Sequence, residues 1–335
     1  MGRKYIPPNA TKRIFKYFFL LIYSNMKRIC IIGDIFFDIV AKDVRVLPAR
    51  WSTDTLASSI QQIPGGSALN CSMHASNYLE YKCNTNMKIA VFSAVGNDIA
   101  GQTCKDTLAT KGCIEDNVVV KDNLRTGSCI VISGDNERCF ITDRGCVNDL
   151  AIDWFPLSDI LATNLIHITG YYNCSGLHAG ILDLLFEARS RGILTSLNPQ
   201  YDATGQWGGI QSLCPFLDII TCNEDELKSM TTGTLQSADF ELLHYVDILF
   251  SWGCRNAVVV TMGGKGAAVF YKVEQTSSSS SISIIQEKPP IVNVVDSTGQ
   301  VAQYVFIPTS TSYYCYYYLY LYLMFCRLFF FFSVL

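Results

Sequence analysis

The sequence predicts an α/β fold with a mainly parallel sheet and flanking helices. Short β-branched runs recur through the middle of the chain, several bounded by Gly or Asn as buried strands are. Helical patterns lie between many of them, and this βαβ rhythm places helices on both faces of the sheet. The 335 residues, 49% of them apolar, can bury the core of one large domain or two smaller ones.

Strands are expected at 29–32, 89–95, 130–132, 165–169, 194–197, 219–222, 257–261, 267–271 and 291–295. Helices are expected at 66–81, 177–191 and 238–252. The second has Leu177, Ile181, Leu184, Leu185 and Ala188 along one face. Segments 35–63 and 117–145 break the rhythm with β-rich character, which suits a small antiparallel subdomain projecting from the main sheet. The Ser-rich stretch 276–283 is expected to be a hairpin loop between strands.

Composition excludes several classes of function. A formal net charge of −3 gives no electrostatic case for nucleic acid or an acidic membrane surface. The 14 cysteines are scattered, with no C-x-x-C pair and no zinc spacing. Free thiols in that number suit a reducing compartment, so a cytoplasmic location is expected. His74, His167, His178 and His244 show no H-x-x-x-H spacing, so a metal hydrolase has no support.

Six motifs carry polar chemistry. Gly33-Asp34-Ile-Phe-Phe-Asp38 follows the first strand, and a carboxylate beyond a strand's C-terminal end sits where α/β folds bind ligands. Gly65 and Gly66 open a helix whose first turn carries Asn70, able to donate to and accept from a polyol. Asp98, after Val95-Gly96, is placed to cap the next helix, a structural role. Asn223 and Glu226 lie one turn apart at a helix start, where carboxylates either cap or hold a hydrated cation. Thr261, Gly263, Gly264 and Gly266 join two strands and match neither a P-loop nor G-x-G-x-x-G; a flat nucleotide or a plain hairpin would suit them equally. Asp296-Ser297-Thr298-Gly299 ends an apolar run, the chemistry of a strand turning into an anion-cradling helix start.

In this order, the motifs resemble the ribokinase-like, or phosphofructokinase-B, family of carbohydrate kinases over 26–299. The resemblance implies a Rossmann-like ribokinase fold with a small β-sheet lid from about 35–63 and 117–145. It implies ATP-dependent phosphorylation of a sugar hydroxyl, with a nucleoside kinase or a non-catalytic sugar-binding protein as alternatives. Asp38, Gly65, Gly66 and Asn70 would bind the substrate. Asn223 and Glu226 would organise Mg²⁺ and phosphate, the metal through water, and Thr261, Gly263 and Gly266 would line the nucleotide site. Asp296 and Thr298 match ligands of a monovalent cation such as K⁺, and Ser297, Thr298 and Gly299 would begin the anion hole. A homodimer through the lid is open to this fold.

The resemblance also locates a departure. The family signature continues Ala-Gly-Asp, and its Asp is the general base; Ala302 stands at that position, and Gln300 and Val301 replace small residues. The C-terminal part of the family fold is therefore expected to be missing, and the chain inactive.

Both ends differ from the middle. Residues 1–25 are basic with a short apolar run, and read as a non-native leader or an organelle-targeting peptide. Residues 300–335 form a non-family tail with seven Tyr from Tyr313 to Tyr322 and the run 329–332 of Phe. Its length permits a membrane span, but spans concentrate Tyr at their ends, so no membrane is expected. Gln300-Val301 can be encoded as an exon–intron junction and pyrimidine-rich non-coding sequence translates into Tyr and Phe, so a read-through intron or a mis-called gene end is expected. Sequencing the transcript checks this: a spliced message still encoding Gln300 onward as written would refute it.

Overall fold

The computed structural model describes residues 28–47, 51–80, 87–134, 137–232, 242–262, 267–273, 281–283, 293–295 and 301–303. In chain order the elements are β1 (Arg28–Gly33), β2 (Phe36–Lys42), β3 (Ser59–Gly65), α1 (Ser67–Tyr78), β4 (Lys88–Gly96), α2 (Ile99–Thr110), β5 (Val118–Lys121), β6 (Gly127–Gly134) and β7 (Glu137–Asp143). Then come α3 (Leu157–Leu161), β8 (Leu165–Thr169), α4 (Ile181–Ser190), β9 (Leu194–Asn198), α5 (Ile210–Leu213), β10 (Ile219–Asn223) and α6 (Glu224–Thr232). The last are α7 (Leu242–Ser251), β11 (Ala257–Thr261), β12 (Ala267–Val273), β13 (Ser281–Ser283), β14 (Asn293–Val295) and β15 (Val301–Gln303).

The main sheet runs β13-β12-β11-β10-β9-β8-β1-β4-β5, parallel except for the antiparallel edge of β12 and β13. Strand β1, inside this sheet, explains the apolar runs in the sequence. Ile29 and Ile31 point into one core with Leu69, Ala75 and Leu108 from α1 and α2. Cys30 and Ile32 point into the other with Leu184, Leu185, Val246 and Leu249 from α4 and α7. A strand buried on both faces has no polar side to alternate with. Chain order reverses about β1, which has β4 on one side and β8 on the other. A crevice therefore opens beyond the C-terminal ends of β1 and β8, at a topological switch point.

A second sheet, β3-β2-β6-β7, projects from this edge. It corrects the sequence reading in two ways. It is mixed, since β2 and β6 pair in parallel. Part of 117–145 also leaves it, because β5 extends the main sheet beside β4. Three smaller differences follow from local geometry. The helix expected from 177 starts as a 3₁₀ turn, Ser175–Ala179, and becomes α-helical after Gly180. Ser281–Ser283, expected as loop, is a strand on β12. Val301–Gln303, expected as the start of a non-family tail, forms a strand pairing Val294 with Ala302. Among the described residues no helix is long and apolar enough to cross a membrane.

Asp98 ties the two sheets together. Its Oδ1 accepts from the Gly101 N–H (2.7 Å) and the Thr126 hydroxyl (2.6 Å), and its Oδ2 from the Thr126 N–H (2.8 Å). The carboxylate thus caps α2 and holds the residue just before β6. Burial alone would raise its pKa, but the bonds from Thr126 and Gly101 together hold it below the ordinary 3.8. We expect Asp98→Ala to cost about 1–2 kcal/mol, read from the denaturant midpoint. Because the folded pKa is depressed, this contribution is present above the ordinary value of 3.8 and lost as pH falls through the folded one. The gap between wild type and variant should narrow in acid.

Candidate functional site

The site is built outward from Asp34, the first residue beyond β1. Its carboxylate is buried. Oδ1 accepts from the Ser67 N–H at 2.9 Å and Oδ2 from the Asn173 side-chain amide at 2.8 Å. Its own carbonyl accepts from the Ala68 N–H at 3.0 Å. One residue therefore fixes the end of β1, the start of α1 and the loop after β8. Burial raises its pKa, and the bonds from Asn173 and Ser67 oppose that rise. Gly66, at φ +87°, makes the approach possible, because a Cβ there would meet the Phe36 nitrogen and the Asp34 carbonyl.

Asp38 lies four residues on, in β2. Its side chain is half-buried and makes no hydrogen bond among the described residues. A Cβ at Gly65 would run into its Oδ2, so only glycine fits beside it. Burial first, and the nearby Asp34 charge second, push its pKa up to about 6. Asn70 stands in the first turn of α1, its N–H donating to the Gly66 carbonyl at 3.0 Å. Its half-buried side chain makes no hydrogen bond among the described residues either. The four expected substrate residues, Asp38, Gly65, Gly66 and Asn70, thus gather around one turn, with two uncommitted polar side chains.

Farther along the same edge, Asn223 and Glu226 form a reciprocal capping box. The Glu226 N–H donates to Asn223 Oδ1 (2.8 Å) and the Asn223 N–H to Glu226 Oε2 (3.0 Å). Glu226 is 6% exposed. Burial raises its pKa to about 7; the Asn223 bond lowers it and the Asp225 charge adds to the rise. Thr261 pairs in register with Asn223 across β10 and β11. Gly263, Gly266, Asp296, Ser297, Thr298 and Gly299 lie outside the described residues.

Sequence reasoning missed several polar groups. Asn173 follows no motif. Asn198 ends β9 beside Thr169, and its amide donates to the Thr221 carbonyl at 3.1 Å. Its Oδ1, the Thr221 hydroxyl and the Tyr172 hydroxyl are buried without hydrogen-bond partners among the described residues. Asn198-Pro199 directly after a strand was the one available signal. Among the described residues no three His, Cys, Asp or Glu side chains cluster as a metal cage. The Glu226 carboxylate, the Asn223 amide and the Thr261 hydroxyl at the ends of β10 and β11 suit a hydrated Mg²⁺ held largely through water.

A family model for pfkB family carbohydrate kinases matches residues 26–299. The chain belongs to that family. It is 22% identical over 227 residues to an adenosine kinase of Dictyostelium discoideum, covering 64% of each chain. It is 22% identical over 241 residues to an adenosine kinase of Schizophyllum commune, with 64% of this chain and 67% of that one aligned. The chain therefore spans about two thirds of the length of these relatives. In structure, this pfkB-family chain is similar to a ribokinase of Giardia lamblia, with TM-score 0.62, 17% identity, and 80% and 77% of the two chains covered. It is also similar to an Arabidopsis thaliana ribokinase complexed with ribose and ATP, with TM-score 0.57, 20% identity and 82% of each chain covered. These likenesses establish the ribokinase-like fold, including its lid.

The raised pKa of Asp38 has a measurable consequence. Stability from its protonated form is complete below the ordinary value of 3.8 and lost as pH rises through about 6. Asp38→Asn, which stays neutral, should therefore raise the melting temperature of the ligand-free protein at pH 7.5 and give no gain in acid. A thermal melt series across pH reads this directly, and an equal effect at every pH would refute it.

Proposed function

We propose that this protein is built as an ATP-dependent sugar kinase whose acceptor half-site is intact and whose phosphoryl transfer is negligible. The observation that carries the first part is Asp38, a half-buried carboxylate beside Gly65 with no hydrogen bond among the described residues. Ionised, it can accept hydrogen bonds from two acceptor hydroxyls while Asn70 donates to or accepts from a third. Asp34 holds the turn that carries them, so the geometry exists before the acceptor arrives.

The donor half follows from the neighbouring strands. ATP supplies the transferred group, with Mg²⁺ neutralising its charge. Glu226 keeps one carboxylate oxygen outside its capping bond, and Asn223 and Thr261 stand beside it at the strand ends. We assign these three residues to the hydrated metal and phosphates, Gly263 and Gly266 to the nucleotide, and Asp296 and Thr298 to a monovalent cation.

Ala302 carries the second part of the proposal. It occupies the position of the family's general base and has no group to accept a proton. Losing that base costs about 10²–10⁴-fold, and an incomplete anion hole about 10²–10³-fold more. A second reading, nucleoside kinase, draws support from the adenosine kinase relatives and from Phe36 and Phe37 at the start of β2. The lid also exposes Ile60, Phe140 and Ile141, which supports a homodimer through that sheet.

Purified protein of this length should consume no ATP above background across a panel of sugars and nucleosides. Calorimetry should nevertheless detect binding of an acceptor, weakened about 10-fold or more by Asp38→Asn and by Asn70→Ala. Turnover would overturn the proposed inactivity, and unchanged binding in both variants would overturn the acceptor site.

A further inference from the structure

A polar cleft of about 850 Å³ lies beside the acceptor site, walled by the end of β7 and by the loop at Ala203-Thr204. Arg125, Thr142, Asp143, Arg144, Asn148 and Thr204 line it. Its charges do not cancel. Arg125 is neutralised by Asp143, with Nε 2.7 Å from Oδ2, and the other Asp143 oxygen accepts from the Gly145 N–H at 3.2 Å. Arg144 has no carboxylate partner among the described residues, and its guanidinium makes one polar contact there, a long 3.4 Å bond to the Ser175 hydroxyl. The far wall is fixed, because Asp202 accepts from the Thr204 N–H (2.9 Å) and hydroxyl (2.7 Å) and from the Trp207 N–H (2.7 Å).

Two paths connect this cleft to Asp38. Along the lid, Asp38 pairs with Cys129, and Cys129 pairs with Thr142. Residues directly opposite on neighbouring strands share a face, and the Cys129 thiol lies 3.3 Å from the Thr142 hydroxyl. Two strand spacings put Thr142 roughly 10 Å from Asp38. Along the main domain, Ser175 is two residues from Asn173, which holds Asp34. The buried Cys174 between them feels both charges, Asp34 raising its pKa and Arg144 lowering it, after the larger rise from burial.

The geometry points to Arg144 as a specificity-determining residue that receives an anionic group, phosphate or carboxylate, carried by the acceptor whose hydroxyls meet Asp38. This rests on the acceptor site proposed above and adds the class of acceptor: a sugar bearing a negative charge at the end remote from those hydroxyls. A guanidinium fork matches the oxygens of either anion, with Asn148 and Thr204 supplying further hydrogen bonds.

Calorimetry on the full chain tests this with fructose, fructose 6-phosphate, gluconate and inorganic phosphate. The phosphorylated or the carboxylated sugar should bind about 10-fold or more tightly than fructose, and which one does so identifies the anion. Arg144→Gln should abolish that preference and leave fructose affinity unchanged, whereas Arg144→Lys should keep part of it. Fructose binding without preference for either anion, or a preference that survives Arg144→Gln, would overturn the assignment. Inorganic phosphate bound as tightly as the sugar phosphate would also overturn it, making the cleft a free-anion site. Failure of every sugar to bind, charged or neutral, would instead overturn the acceptor reading on which it rests.

Discussion

A buried carboxylate holds this site together. Asp34 is 1% exposed, and burying an unpaired ionised carboxylate is costly. Here the cost is offset by a backbone N–H at the start of α1 and a side-chain amide from the loop after β8, with a third bond through the Asp34 carbonyl. Three segments far apart in sequence are thereby locked at one point. The glycines serve the same arrangement. Gly66 and Gly170, both at positive φ, lie so close to Asp34 that a side chain at either would clash. The acceptor turn is rigid because the group beneath it cannot be left unsatisfied.

The lid grows from the same point. The chain passes from β1 through Asp34 and Ile35 directly into β2, so Asp38 is carried out of the main sheet on the first lid strand. The parallel pairing of β2 with β6 brings Cys129 and then Thr142 alongside it, while Asp98 anchors the base of β6 to α2. The acceptor residues thus belong to a junction between two sheets, and motion of one against the other would change the spacing between Asp38 and Asn70.

Much of this was legible in the sequence because it is local. The doubly buried strands show as unbroken apolar runs, since 29–32 has no polar face to expose. Gly65, Gly66 and Asn70 read correctly as a helix start with a polar first turn. Asp98 read as a cap and is one, and the Asn223–Glu226 pair, which read as either a cap or a cation site, forms a capping box. What was not legible depends on partners distant in sequence. Val118–Lys121 has the same β-rich character as the lid strands, and its place beside β4 is decided by packing. The parallel β2–β6 register joins segments about ninety positions apart. The bond from Asn173 to Asp34 joins residues 139 positions apart, so no local pattern shows it.

The two halves of the site differ in what they ask of the backbone. The proposed acceptor half needs side chains, and Asp38 and Asn70 offer them from a strand and a helix turn. The anion hole needs successive N–H groups converging on one oxygen, and only certain backbones provide that. The first turn of a helix leaves its N–H groups unpaired and pointing along one axis. A strand sends successive N–H groups to opposite edges, and its ladder occupies those on the paired side. Val301–Gln303 is such a strand, with Ala302 opposite Val294. Ala302→Asp alone would restore a carboxylate without restoring the converging amides. In the reading proposed above, the strand backbone at Val301–Gln303 weighs against phosphoryl transfer as much as the missing side chain does.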